Sequence, residues 1–311
     1  MTFSGRILYG INNIYTVESS GKTYECRIKG KILKQSAGLY NPLTAGDFVE
    51  IEPDSHSASH GVIISINDRK NVFTRWNRKK MALQLIASNI DILFCIAASD
   101  DPPFRPRFID RVLMSIENNC EKIVLLNKSD IKTDSSTEER LADYERIGIK
   151  VLRCSALSMD GIEQLKEIIR DKYCAFAGHS GVGKSSIINA LTGKDLQKTG
   201  EISRKYSRGR HTTNYSILIP QGSGGIIDTP GIRDIFLKRV EPEKLSEMFT
   251  EFQQFSRMCS FKGCSHINET DCAVKEAVEK KAIHYDRYRS YVKIYLEMTE
   301  MADEVYGSAY S

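Results

Sequence analysis

At 311 residues, with 41% hydrophobic and 27% charged side chains, the chain has ordinary globular composition and room for two or three domains. Its longest apolar run, 90–98, is broken by Asp91 and falls short of the ~18–20 residues of a membrane span. The opening MTFSGRILYG carries no basic-then-apolar export signal, so membrane and secreted classes drop out and a cytoplasmic location is expected.

The net charge of +4 is uneven, because residues 1–80 hold 12 Lys/Arg against 7 Asp/Glu. Within them, residues 1–67 alternate apolar and polar side chains over short segments at 5–9, 14–17, 23–28, 47–51 and 61–66, separated by Gly, Asn, Pro and Ser turns. That spacing predicts five strands closing into an OB-type barrel, an architecture that often binds nucleic acid; an SH3-like barrel has the same pattern. Next, Arg69, Lys70, Arg75, Arg78, Lys79 and Lys80 are interleaved with Phe73 and Trp76. The mixture suits phosphate contact with base stacking, and equally a solvated linker.

From residue 91 the pattern changes to strands at 91–98, 122–126, 150–153 and 173–177, alternating with helical segments at 105–119, 138–147 and 161–170. Such alternation predicts a parallel sheet with helices on both faces. Cys95, Cys154 and Cys174 lie in apolar stretches, where a thiol acts as a small hydrophobe. Past residue 238 the chain reads as helical apart from a Cys/His cluster at 259–272.

The strand ends carry the chemistry. Asn127-Lys128-Ser129-Asp130 follows the strand at 122–126. The Asp130 carboxylate can accept from N1–H and the exocyclic amine of guanine, a donor pair that adenine lacks. Asn127 can bond the ring edge, and the Lys128 stem can lie against the base. Ser155-Ala156, after the next strand, offers a backbone N–H to guanine O6.

Gly178-His179-Ser180-Gly181-Val182-Gly183-Lys184-Ser185, followed by Ser186, matches G-x-x-x-x-G-K-[ST] and opens a predicted helix at 185–191. Its glycines let backbone N–H groups converge on phosphates at a helix N-terminus. Lys184 would neutralise the β- and γ-phosphates, and the Ser185 hydroxyl would ligate Mg²⁺. Asp228-Thr229-Pro230-Gly231 closes a strand at 225–227. Asp228 would hold Mg²⁺ through water, and the Gly231 N–H would touch the γ-phosphate. The next residue is Ile232, where many GTPases place a water-orienting glutamine, so intrinsic turnover should be slow.

Ordinary GTPases run P-loop, switch I, DxxG, NKxD, SA. Here the NKxD and SA motifs come first, a circular permutation of the kind that close-lying domain termini permit. The DxxG motif then leads directly into the C-terminal part.

Cys259, Cys264, His266 and Cys272 offer three thiolates and an imidazole, a donor set that suits a closed tetrahedral Zn²⁺ site. Without an export signal, metal in a reducing compartment is expected rather than disulfides.

Permuted motifs, an N-terminal barrel and a Cys3His cluster together resemble the ribosome small subunit-dependent GTPase family (RsgA, also called YjeQ), over essentially the whole chain. The resemblance implies a multidomain protein: an RNA-binding OB-type barrel at 1–68, a circularly permuted α/β P-loop GTPase domain at 69–238, and a helical zinc-binding domain at 239–311. It implies a bacterial, cytoplasmic, monomeric GTPase that turns GTP into GDP late in small-subunit maturation, contacts rRNA and is stimulated by that subunit. One zinc would sit on Cys259, Cys264, His266 and Cys272. The family's switch I motif is matched by Gly209-Arg210-His211-Thr212-Thr213, with Asn214 where a third threonine is often found. Either Thr212 or Thr213 would meet Mg²⁺, and His211 would orient the attacking water. Residues 194–211 are strongly basic, and disorder until they meet rRNA is expected.

Other readings are a GTPase of another RNA pathway and a module that binds rRNA with GTP as an occupancy signal. An ATP-dependent protein is opposed by the NKSD motif.

Overall fold

The computed structural model describes residues 2–36, 38–55, 57, 59–116, 119–193, 215–232, 234–238, 240 and 242–307. Strands β1 (Phe3–Ile11), β2 (Ile14–Ser19), β3 (Lys22–Ile28), β4 (Phe48–Pro53) and β5 (His60–Ile66) close into a barrel in the order β1-β2-β3-β5-β4. Only the β3–β5 pair is parallel, and the short helix α1 (Gly30–Gln35) follows β3. Alternation fills the interior with Ile7, Val17, Cys26, Val49, Ile51 and Ile63, all fully buried. The expected OB-type order is present.

The basic, aromatic stretch after the barrel forms a hairpin, β6 (Val72–Asn77) with β7 (Ala82–Ser88), rather than an irregular linker. Phe73 is fully buried and cannot meet a base. Arg69 donates to Asp47 at 2.7 Å, Lys70 pairs with Asp91 at 2.9 Å, and Arg75 donates to Gln84 at 2.9 Å. The turn residues Arg78, Lys79 and Lys80 are exposed, and so is Lys70 despite its ion pair. Local composition could not show these contacts, because most partners lie 20 or so residues away.

The central sheet has the order β10-β9-β8-β11-β13-β12, built from β8 (Ile92–Ala98), β9 (Glu121–Asn127), β10 (Lys150–Arg153), β11 (Tyr173–Gly178), β12 (Ile217–Gln221) and β13 (Gly224–Asp228). All neighbours run parallel except β12, an edge strand paired antiparallel to β13. Every residue of β8 is buried, as a strand covered on both faces requires. Leu93, Cys95 and Ala97 face one core with α2 (Pro106–Met114) and α3 (Ser135–Arg146). Ile92, Phe94 and Ile96 face the other, with α4 (Ile162–Ile169) and α5 (Lys184–Thr192). Helix α2 is shorter than the periodicity predicts and stops before Ser115.

The C-terminal part holds α6 (Pro242–Glu247), a 3₁₀ turn (Thr250–Phe252), α7 (Gln253–Ser256), α8 (Ala273–Glu279) and α9 (Tyr285–Gly307). Helix α9 is fastened to α2 by a buried cluster around Asp110. That carboxylate accepts from Arg140 at 3.0 Å, Arg287 at 2.7 Å, Tyr144 at 2.7 Å and Ser290 at 2.5 Å. Burial alone would raise its pKa, but the Arg287 and Arg140 guanidiniums overcome this and hold it below the usual carboxylate value. Attraction in such a cluster is offset by desolvation, so its main effect is to set the register of α9 on α2. No helix among the described residues is long and apolar enough to cross a membrane.

Candidate active site and metal centre

The chain runs outward from β8 through β9 to β10, then returns to place β11 on the other side of β8. The β8/β11 boundary is therefore a switch point, where the C-terminal ends of parallel strands open a crevice for ligands. The glycine-rich loop leaves β11 at this point. Together with Tyr215 just before β12 and the turn at the end of β13 it lines a cavity of about 420 Å³, through His179, Ser180, Gly181, Gly183, Lys184, Ser185, Ser186, Tyr215, Asp228, Thr229, Pro230 and Gly231.

Gly181 (φ 90°) and Gly183 (φ 85°) adopt left-handed backbone. Steric demand is sharpest at Gly183, where a Cβ would stand 2.2 Å from Asn127 Nδ2. Gly178 and Val182 are buried behind the loop, with Val182 in the α4/α5-side core. Lys184 and Ser185 open α5, so the ammonium and hydroxyl stand at a helix N-terminus. The Lys184 ammonium is paired with the Asp228 carboxylate. Thr229 anchors the turn after β13 by donating to Phe176 O at 2.8 Å. Ile232 is fully buried, so no side chain there faces the phosphates.

Asp130 is exposed at the end of the β9 loop. Asn127 also makes bonds within the protein that its motif did not announce. Buried to 2% exposure, it donates to Val182 O at 2.9 Å and accepts from Ala156 N at 3.2 Å. Its amide thus ties the P-loop to the Ser155-Ala156 loop, and the Ala156 N–H expected at guanine O6 points to Asn127. Ser129 N donates to Cys154 O at 3.1 Å, and Ser155 Oγ accepts from Leu157 N and Ser158 N. Lys128 (φ 61°) donates to Asp101 O in the loop after β8. His211, Thr212 and Thr213, with the rest of the basic segment, lie outside the described residues.

Cys259, Cys264, His266 and Cys272 converge, with all ligand atoms within 4.8 Å of one another. His266 Nδ1 lies 3.6 Å from Cys259 Sγ and 3.4 Å from Cys272 Sγ, and the two sulfurs are 4.0 Å apart. A tetrahedral ion at ~2.3 Å from sulfur and ~2.1 Å from nitrogen needs ligand separations of roughly 3.6–3.8 Å, so the set fits Zn²⁺. Ser256 Oγ sits 3.2 Å from His266 Nε2, leaving Nδ1 to face the thiols. Burial pushes the Cys264 thiol up to about 12 and lowers the His266 pKa. From α9, Tyr288 and Tyr291 donate to His266 O and Ser265 O at 2.8 and 2.5 Å. Four protein donors leave no open position, so a metal here would hold the fold rather than do chemistry.

The family model described as RsgA GTPase matches residues 66–238, and that of the RsgA N-terminal domain matches 4–63. This chain belongs to the RsgA GTPase family. It is accordingly a GTPase, a hydrolase with permuted motif order. A relative from Borreliella burgdorferi, "Small ribosomal subunit biogenesis GTPase RsgA", is 38% identical over 295 residues, 94% of this chain and 95% of that protein. The protein of the same name from Flavobacterium psychrophilum is 38% identical over 311 residues, 97% of this chain and 94% of its own. Among solved structures, YjeQ from Thermotoga maritima superposes with TM-score 0.70 at 29% identity, covering 96% of this chain and 99% of that one. YloQ, described as a circularly permuted GTPase, gives 0.66 at 27% identity, covering 98% and 96%.

Sequence reasoning missed Tyr215, Thr229 and Pro230 in the cavity wall. Thr229 and Pro230 could have been found from their place inside the DxxG turn. Tyr215 had no signal, since it enters through an antiparallel edge strand that nothing local announced.

Proposed function

We propose that this chain binds and hydrolyses GTP in the cavity at the β8/β11 boundary, and that it serves small ribosomal subunit biogenesis in the cytoplasm. The observation that carries the reading is the convergence of Lys184, Ser185, Asp228 and Gly231 on one cavity, in a family whose relatives bear that role in their names. Lys184 holds the phosphates, Ser185 takes Mg²⁺ directly and Asp228 takes it through water. Asp130 selects guanine. Zinc on the Cys3His cluster stabilises the C-terminal part. Stimulation by the subunit comes through rRNA contacts, and His211 orients the water that Ile232 cannot. The test is GTP turnover with small subunits, large subunits, naked RNA or no addition. Acceleration by small subunits alone, lost in His211→Ala at unchanged GTP affinity, supports the reading; equal rates in all four mixtures would reject it.

Guanine selection has its own check. Asp130→Asn removes an acceptor that meets two donors, and charged hydrogen bonds contribute about 1.5–3 kcal/mol each. GTP affinity should fall at least tenfold, roughly the lower bound of that range, while xanthosine triphosphate gains. Calorimetric titration with both nucleotides decides it; unchanged GTP affinity would remove Asp130 from the base site.

A further inference from the structure

The loop that follows β8 faces the glycine-rich loop across the crevice, and the two touch at successive residues. Arg105, exposed at the start of α2 and making no capping bond there, places Nη1 2.9 Å from His179 Nε2. Phe108, one turn into α2, meets the same ring edge-on at 5.9 Å. His179 Nδ1 lies 3.1 Å from Ser180 O. Pro102 Cδ is 3.4 Å from where a Cβ on Gly181 would stand, and Asp101 O receives Lys128.

Donor and acceptor roles follow from chemistry. A guanidinium can only donate, so Nε2 must accept and the ring proton must sit on Nδ1. Nδ1–H then donates to Ser180 O. In a trans peptide the carbonyl and the next N–H point to opposite sides, so holding Ser180 O toward the ring turns the Gly181 N–H away from it. His179, Ser180 and Gly181 all line the cavity.

We propose that Arg105 is a positioning residue for the phosphate loop: by fixing the His179 tautomer it presets the Ser180–Gly181 peptide for phosphate. The proposal rests on the reading of residues 178–185 as the GTP site. Bound phosphate would itself order the peptide, so the arrangement lowers the cost of binding and leaves the chemical step alone.

The test uses the full chain. Arg105→Ala, at an exposed position, should raise KM for GTP about fivefold with kcat unchanged, the scale of an exposed charged contact. Arg105→Lys, whose ammonium can still donate to Nε2, should recover most of that loss. The double variant Arg105→Ala/His179→Ala should be no worse than His179→Ala, because the two act as one unit. Nitrogen NMR of the His179 ring should show the proton on Nδ1 in the native protein and a shift toward Nε2 in Arg105→Ala. An unchanged KM, losses that multiply in the double variant, or an unmoved tautomer would overturn the proposal. Lys184→Ala separates the two levels. If it binds GTP normally the site reading itself fails; if it loses GTP while Arg105→Ala keeps native KM, only the role of Arg105 fails.

Discussion

Lys184→Ala should lower GTP turnover by about 10²–10³-fold, the usual cost of deleting one preorganised donor at developing charge. The ammonium stands at the α5 N-terminus and is already held by Asp228, so its place is set before phosphate arrives. Alanine removes the charge and leaves the Asp228 carboxylate without its cation. The fold should be indifferent, because Lys184 fills no core position, and the melting curve should keep its midpoint. Phosphate release beside a thermal melt measures both quantities. Native turnover in Lys184→Ala would mean that hydrolysis happens elsewhere.

Removing zinc should act the other way, on structure before chemistry. One equivalent of zinc per chain is expected by elemental analysis. Structural zinc sites in small domains contribute on the order of 10 kcal/mol of apparent binding free energy, comparable with the whole stability of a typical domain. The C-terminal helices bury Phe249, Phe252 and Tyr291 beside His266, and the α9 tyrosines bond to carbonyls of the ligand loop. Chelation at neutral pH should therefore cost helical circular dichroism and expose this aromatic cluster to quenchers. Cys272→Ala should do the same without chelator. Acid should release the metal, because zinc binds thiolates and neutral imidazole, and burial makes the Cys264 thiol reluctant to ionise unaided. Protein without zinc, or chelated protein that melts like the untreated sample, would disprove the site.

Most of the architecture could be read from local pattern. The five barrel strands announced themselves by alternation, β8 by its apolar run, and the glycine-rich loop by residues whose spacing the backbone geometry demands. The hairpin of β6 and β7 escaped because Phe73 and Arg69 look like surface residues until Asp47 and the core are brought to them. Asn127 and Arg105 were hidden for the same reason. Their partners, Val182 and His179, lie 55 and 74 residues away, and the pairings exist only once the sheet order sets β11 beside β8. Residue type tells what a side chain can bond; topology decides which neighbour is offered.

The fastening of α2 to α9 bears on how the chain is made. Asp110 is joined to Arg287 and Ser290, partners 177 and 180 residues downstream. As synthesis proceeds from the N-terminus, domains fold as units when their residues emerge. The barrel and the phosphate loop are complete long before residue 290 is added, but Asp110 then has Arg140 and lacks its second guanidinium. Helix α2, which reaches the phosphate loop through Arg105, thus stays unfinished on its outer side until Arg287 and Ser290 have emerged. A chain released early would carry every GTP motif and a half-neutralised buried carboxylate. The order of synthesis thereby ties the finished surroundings of the phosphate loop to the arrival of α9.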